Sequence, residues 1–307
     1  MLALPISDTT FIRDSGTVRT PECLRNSFDE VLPFVTVDGC GSFSVAKTFD
    51  CGQAFRFDPA DDSCYVGVAL DRHVAFRQND DGSVTIYNST VRDFDSVWRH
   101  YLSLDEDYDA IDDFIVNAMP CERDCVVMSA AVSAGRGIRI LRQEPFETLI
   151  SFIVSQNNNI PRIKKILRAL CDTYGENGRF PTPAALVEAG EEGLFALRTG
   201  FRAGYIYDAA YKVLHGELDL AELAARDDYA SCDAALRTVR GIGPKVSACV
   251  LLYGLHKTEA FPIDVWIKRV LAARFPDGFD PSRLGACAGI AQQYLFYYER
   301  YTQSHTK

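Results

Sequence analysis

Between residues 31 and 88, apolar positions alternate with polar ones or gather in short β-branched runs: VLPFVTV, GSFSVAKTF, QAFRF, CYVGVAL, HVAFRQ and VTIYN. The separators carry DG, CG, DPADD and NDDG. Such turn sequences close hairpins, so the stretch predicts an antiparallel sheet. From about residue 91 the apolar spacing lengthens to a helical period. It predicts helices over 108–118, 145–155, 161–173, 183–189, 204–215, 219–225, 231–239, 244–255, 264–274 and 285–301. Residues 1–30 are polar and aperiodic, and read as an extended lead-in. Strands first and helices second indicate an α+β chain. The expected division is an N-terminal antiparallel sheet domain at 1–125 and a helical domain at 126–307. The length of 307 residues suits two domains of about 150 residues each.

Charge narrows the range of partners. The net charge is −10, which argues against indiscriminate nucleic-acid binding, because neutralising phosphates takes Lys and Arg. A DNA-binding surface here must therefore be local. Ten cysteines are scattered through the chain, which favours reduced thiols in a cytosolic compartment. Cys121 and Cys125 are the closest pair, but no further ligands lie nearby at zinc-site spacing, so no metal is expected. MLALPISDTTFIRD lacks the basic and apolar regions of a signal peptide. No run of 18 apolar residues suggests a membrane span.

The segment RGIGPKVSA (240–248) and the aspartate of FPIDVWIKR (261–269) carry candidate chemistry. Gly241 and Gly243 suit a tight turn, and Pro244 suits the first position of a helix. Backbone N–H groups at such a turn form an anion nest for a phosphate. The same residues also fit a plain helical corner. Lys245 is either an ordinary surface lysine or an amine nucleophile in the helix's first turn, where the dipole disfavours the charged ammonium. Asp264 is either an N-cap or a catalytic carboxylate, and one group can be both.

Together these residues resemble the helix–hairpin–helix glycosylase superfamily and, within it, the 8-oxoguanine DNA glycosylase/AP lyase family. Four further segments carry the resemblance: GIRILRQEPFETLISFIVSQNNNIPRI (137–163), LRTGFRAGY (197–205), CGQAFRF (51–57) and AGIAQQYLFYYER (288–300). It extends from about residue 31 to about 300. The helical domain is thus expected to be an all-α helix–hairpin–helix glycosylase domain.

The resemblance implies a role for each residue. Asn157 would fill the space left by a flipped-out base and pair with the orphaned cytosine. Arg162 and Arg202 would read that cytosine's edge with planar donor forks. Phe201 would be the intercalating wedge. Without the resemblance, the asparagines are a capping turn and Phe201 is ordinary core. Gly52 would supply a carbonyl that accepts from the N7 proton of 8-oxoguanine and repels the bare N7 of guanine. Gln292 would bind the Watson–Crick edge. Phe296 and Cys249 would sandwich the ring, although their spacing also fits a core stripe. Trp266 stands near the lesion where several eukaryotic relatives place a histidine. Phe201 lacks the hydroxyl of the more usual tyrosine. Both departures resemble prokaryotic branches, which points to a bacterial cytoplasm; a eukaryotic source would imply the nucleus.

The implied activity is excision of 8-oxoguanine opposite cytosine. Asp264 would stabilise an oxocarbenium-like state, and Lys245 would form a Schiff base and nick the strand by β-elimination. No cofactor is expected. The expected partner is double-stranded DNA containing 8-oxoguanine, bound by a monomer. The basic stretches PRIKKILRAL (161–170) and IKRVLAAR (267–274) lie beside the reading elements, which answers the charge objection. The alternatives are a glycosylase of the same superfamily for another damaged base, or a non-catalytic DNA-binding module. Superfamily members for oxidised pyrimidines often carry a four-cysteine cluster after the aspartate, and only Cys287 follows Asp264 here.

Overall fold

The computed structural model describes residues 4–7 and 9–302. Residues 1–3 and 8 of the expected lead-in, and 303–307 of the expected helical domain, lie outside the described residues. Six strands form one sheet: β1 (Phe11–Arg19), β2 (Val31–Asp38), β3 (Phe57–Asp61), β4 (Cys64–Ala69), β5 (Arg72–Gln78) and β6 (Val84–Tyr87). Their order is β1-β2-β6-β5-β4-β3. β2 and β6 run antiparallel, with Val35 opposite Ile86 and Val37 opposite Val84. All four of these side chains are buried, as the period of two along a strand requires when one face meets the core.

Three parts of the sheet region differ from the expectation. The polar stretch 11–19 is a strand, paired with β2 along its length. It is mostly exposed, so an edge ladder forms it without the apolar alternation that marks a buried strand. GSFSVAKTF is a loop followed by helix α1 (Val45–Asp50), with Ser44 Oγ accepting from the Lys47 N–H at 3.3 Å. An N-cap serine here prevails over β-branched neighbours. QAFRF contributes only Phe57, while DPAD, expected as a separator, makes the rest of β3.

The helices are α2 (Val91–Asp93) and α3 (Arg99–Tyr101), joined by a wide turn at Phe94–Trp98, then α4 (Tyr108–Asn117), α5 (Glu122–Gly135), α6 (Pro145–Ser155), α7 (Ile160–Tyr174) and α8 (Pro183–Leu194). They continue with α9 (Ala203–Leu214), α10 (Leu220–Ala225), α11 (Tyr229–Leu236), α12 (Pro244–Tyr253), α13 (Val265–Arg274) and α14 (Ala288–Tyr297). The expected α+β architecture stands. The pattern did not predict α5, because ERDCVVMSAAVSAG has no clean stripe: Val126 is exposed while Asp124 is buried.

Contacts divide the chain into two units. One holds the residues up to Gly67, His73–Arg142 and the chain from Thr258; the other holds Val68–Arg72 and Gln143–Lys257. The division is not the linear one at 125/126, because the chain returns to the sheet-bearing unit at 258. The return is fixed by packing of α14 on α4 and α5. Tyr294 Oη donates to Asp112 Oδ1 at 2.8 Å, and a Cβ on Gly135 would lie 2.4 Å from the Tyr294 ring. In the same unit, Phe49, Phe57, Phe76 and Trp98 form a buried aromatic chain with ring separations of 4.3, 5.9 and 5.5 Å. Such rings carry much of a core's apolar burial. The second unit is built around α6, which is buried continuously from Thr148 to Val154. Phe152 of α6 stacks on Tyr253 of α12 at 5.3 Å.

Candidate active site

In the second unit, α11 and α12 flank the hairpin at 237–243. Gly241 has φ +80°, and a Cβ there would lie 2.3 Å from the Tyr205 ring, so both conformation and space require glycine. Gly243 is different: its backbone is extended (φ −98°, ψ −178°), and a Cβ would meet nothing within 4 Å. Only one of the two glycines is therefore demanded by the turn. The hairpin is tied to α9, where the Arg240 N–H donates to Asp208 Oδ2 at 2.7 Å and Lys212 Nζ to the Thr238 carbonyl at 3.0 Å. No side chain caps the start of α12, which leaves its first N–H groups suited to an anion.

Lys245 lies half-buried in the first turn of α12. Its Nζ is 3.5 Å from Ser155 Oγ and 5.3 Å from the centre of the Phe152 ring. Both neighbours come from α6. Cys249, one turn further along α12, is buried.

The asparagine run follows α6. Asn157 is exposed with φ +47°, a conformation asparagine tolerates better than most residues. Asn159 caps α7, its Oδ1 accepting from the Arg162 N–H at 3.0 Å. Arg162 is exposed, on the outer face of a helix whose inner face is Ile163, Ile166, Leu167 and Leu170. Phe201 is also exposed, at 54%, so it is not core. Arg202 is placed otherwise. It is 2% exposed, and its Nε donates to the Gln156 carbonyl at 2.9 Å, its Nη1 to the Thr199 carbonyl at 3.1 Å and its Nη2 to the Asn157 carbonyl at 3.0 Å. The guanidinium also lies over the Phe201 ring at 4.4 Å. Burial, with Arg162 as a second cause, lowers the pKa of Arg202. Its donor fork is directed at the backbone of the asparagine loop.

The first unit holds the remaining candidates. Asp264 is the N-cap of α13, its Oδ1 accepting from the N–H groups of Trp266 at 3.0 Å and Ile267 at 2.8 Å. The Arg269 guanidinium lies 5.1 Å over the Trp266 ring. Gly52, at φ +85°, follows the end of α1. Gln53 is fully enclosed: its Nε2 donates to the carbonyls of Thr48 at 3.0 Å and Arg139 at 2.7 Å, and its Oε1 accepts from the Leu141 N–H at 3.0 Å. Gln293 Nε2 donates to the Cys51 carbonyl at 3.0 Å. Enclosure pushes the Cys51 thiol up to about 12, so it remains neutral beside the turn. Gln292 is buried on α14 and Phe296 is half-buried one turn on, sharing one face of that helix. Gly52, Gln292 and Phe296 belong to the first unit, as do Asp264 and Trp266; Lys245 and Cys249 belong to the second.

Residues 39–149 match the model of the 8-oxoguanine DNA glycosylase N-terminal domain, and residues 150–277 match the model of the HhH-GPD superfamily of base excision DNA repair proteins. The structure of MBOgg1 in complex with a low-affinity DNA ligand is 36% identical, with TM-score 0.80, over 94% of this chain and 99% of that one. The chain belongs to the 8-oxoguanine DNA glycosylase family. A second family structure, the Clostridium acetobutylicum 8-oxoguanine glycosylase/lyase with double-stranded DNA containing cytosine opposite 8-oxoguanine, is 34% identical with TM-score 0.79. It covers 88% of this chain and 96% of that one. The Saccharomyces cerevisiae N-glycosylase/DNA lyase is 38% identical over 44% of this chain. The match spans 41% of the yeast protein's length.

Several side chains that complete these family elements were not singled out in the sequence. Ser155 and Phe152 beside Lys245, Tyr205 under Gly241, and Gln53 and Gln293 around Gly52 are all set by tertiary contact. A signal existed for Gln293 alone, as the second amide in an otherwise apolar helical stretch. No three His, Cys, Asp or Glu side chains gather as a metal site among the described residues, and none of the ten cysteines, all of them described, forms a disulfide. No helix among the described residues is long and apolar enough to cross a membrane.

Proposed function

We propose that the chain excises 8-oxoguanine paired with cytosine from double-stranded DNA and then nicks the strand. The observation that carries the proposal is Lys245, half-buried in the first turn of the helix after the hairpin, with its amine beside an aromatic ring and a hydroxyl. A binding module has no need for a lysine held in this way, whereas an amine nucleophile must be placed before it attacks.

In the proposed reaction the base is extruded into a pocket, at a cost of a few kcal/mol in unstacking. The Gly52 carbonyl accepts a hydrogen bond from the N7–H that only the lesion carries, and Gln292 and Phe296 hold the rest of the base. The glycosidic bond breaks with its electron pair leaving on the base, and the Asp264 carboxylate stabilises the positive charge developing on the sugar. The Lys245 amine bonds to the anomeric carbon, the ring opens, and an imine forms. Loss of a proton from the neighbouring carbon then expels the 3′ phosphate. Asn157, Arg162 and the Phe201 wedge occupy the strand opening and read the cytosine. The hairpin around Gly241 grips a backbone phosphate.

The test is a cleavage panel across lesions and opposite bases. Duplexes with 8-oxoguanine opposite cytosine should be cut well ahead of those with 8-oxoguanine opposite adenine, and undamaged guanine should be left intact. Equal cutting of an oxidised pyrimidine, or no cutting of the 8-oxoguanine·cytosine duplex, would refute the assignment.

A further inference from the structure

We propose that Gln293 is a positioning residue for lesion recognition: its hydrogen bond to the Cys51 carbonyl sets the Gly52 acceptor relative to Gln292. The proposal rests on the lesion-reading roles given above to Gly52 and Gln292.

Glycine gives the reading turn its close approach, but it also leaves the turn free to rotate. Discrimination between 8-oxoguanine and guanine depends on one hydrogen atom, so the acceptor must be held in place before the base arrives. Two side chains supply the constraint. Behind Gly52, Gln53 is anchored by bonds to Thr48, Arg139 and Leu141. Ahead of it, the peptide joining Cys51 to Gly52 is held through its carbonyl by Gln293. The flexible residue is thereby fixed on both sides.

The second constraint has a property the first lacks. Gln293 is the chain neighbour of Gln292, 242 positions away from Cys51. Its bond therefore ties the turn to the helix that carries the other base reader. On that helix Gln292 and Phe296 share one face, Gln293 points to the turn, and Tyr294 is hydrogen-bonded to Asp112. Each side of α14 thus has its own partner, and the amide of Gln293 links the turn to the helix directly beside Gln292.

The experiment compares wild type with Gln293→Met, which keeps the volume and removes the donor, and with Gln293→Glu. Each is assayed for excision from an 8-oxoguanine·cytosine duplex and for incision of a preformed abasic duplex, which has no base to read. Gln293→Met should lower excision about tenfold, as expected for one lost hydrogen bond, while retaining incision. Gln293→Glu places a carboxylate against the Cys51 carbonyl. Its ratio of excision to incision should fall further at about pH 8 and recover toward wild type as protonation restores a donor near pH 5. Parallel loss of both activities in Gln293→Met would mean that the amide serves only the fold, and a wild-type ratio in both variants would remove the positioning role. A wild type that incises the abasic duplex but leaves 8-oxoguanine in place would overturn the functional proposal, and this one with it.

Discussion

Around Gly52, the group proposed to meet a base is backbone, and the side chains bonded on either side of it are almost completely enclosed: Gln53 and Gln293 are each 1% exposed. Around Asn157 the arrangement is reversed. Asn157, Arg162 and Phe201 are exposed side chains, and the enclosed group is the guanidinium of Arg202, bonded to the loop carbonyls of Gln156 and Asn157 and to that of Thr199. The proposed lesion reader is built as a fixed surface, which suits telling a base with an N7–H donor from one with a bare N7 acceptor. The proposed strand reader is built from exposed side chains on a supported loop, which suits groups that must enter a duplex as it opens. The contrast also changes the expected role of Arg202. Its fork is bonded to backbone carbonyls here, which leaves the exposed fork of Arg162 as the proposed reader of a cytosine edge.

Three substitutions test this contrast. Arg202→Ala should have the largest effect, leaving several carbonyls without donors and lowering unfolding stability by about 3 kcal/mol in denaturant titration. A variant as stable as wild type would mean that Arg202 is a reader and not a support. Asp112→Asn probes the anchor of α14. Burial raises the Asp112 carboxyl to about 6, with the Tyr294 hydroxyl, Arg136 and Arg139 opposing the rise and Asp109 adding to it. A raised carboxyl favours the folded state at low pH, and that contribution is lost as pH rises through the folded value. The variant should therefore nearly match wild type near pH 4 and exceed it by up to about 3 kcal/mol at pH 7. Thermal melts across this range would show whether the stability difference stays flat, which would contradict the assigned cause. Arg162→Ala should have the smallest effect on the protein itself. It should narrow the preference for cytosine over adenine opposite the lesion by about tenfold and leave stability unchanged; an unaltered preference would place the cytosine reader elsewhere.

The hairpin strands β2, β4, β5 and β6 and the helices from α6 to α14 could be read from periodicity because each sets an apolar stripe or alternation against a core. The polar strand β1 could not, since its existence depends on the ladder it makes with β2. Nor could α5, whose buried face is built from Met128, Ala131, Val132 and Gly135 among polar neighbours. Lys245, Asp264 and Gly52 were legible as residue types in a known order. Their supports were not: the bond from Gln293 to Cys51 joins positions 242 apart, and Arg202 bonds two carbonyls, of Gln156 and Asn157, in a loop whose shape no local pattern gives. Gly243 shows the opposite error, a motif glycine whose extended backbone and open surroundings make no demand for one.

Lys245 is the proposed nucleophile acting on the damaged strand. Borohydride reduction of the protein with an 8-oxoguanine·cytosine duplex tests it directly, because reduction converts a Schiff base into a stable protein–DNA link. Wild type should give the covalent adduct, and Lys245→Gln should give none while still binding the duplex. An adduct that persists in Lys245→Gln would contradict the claim and assign the amine to another residue.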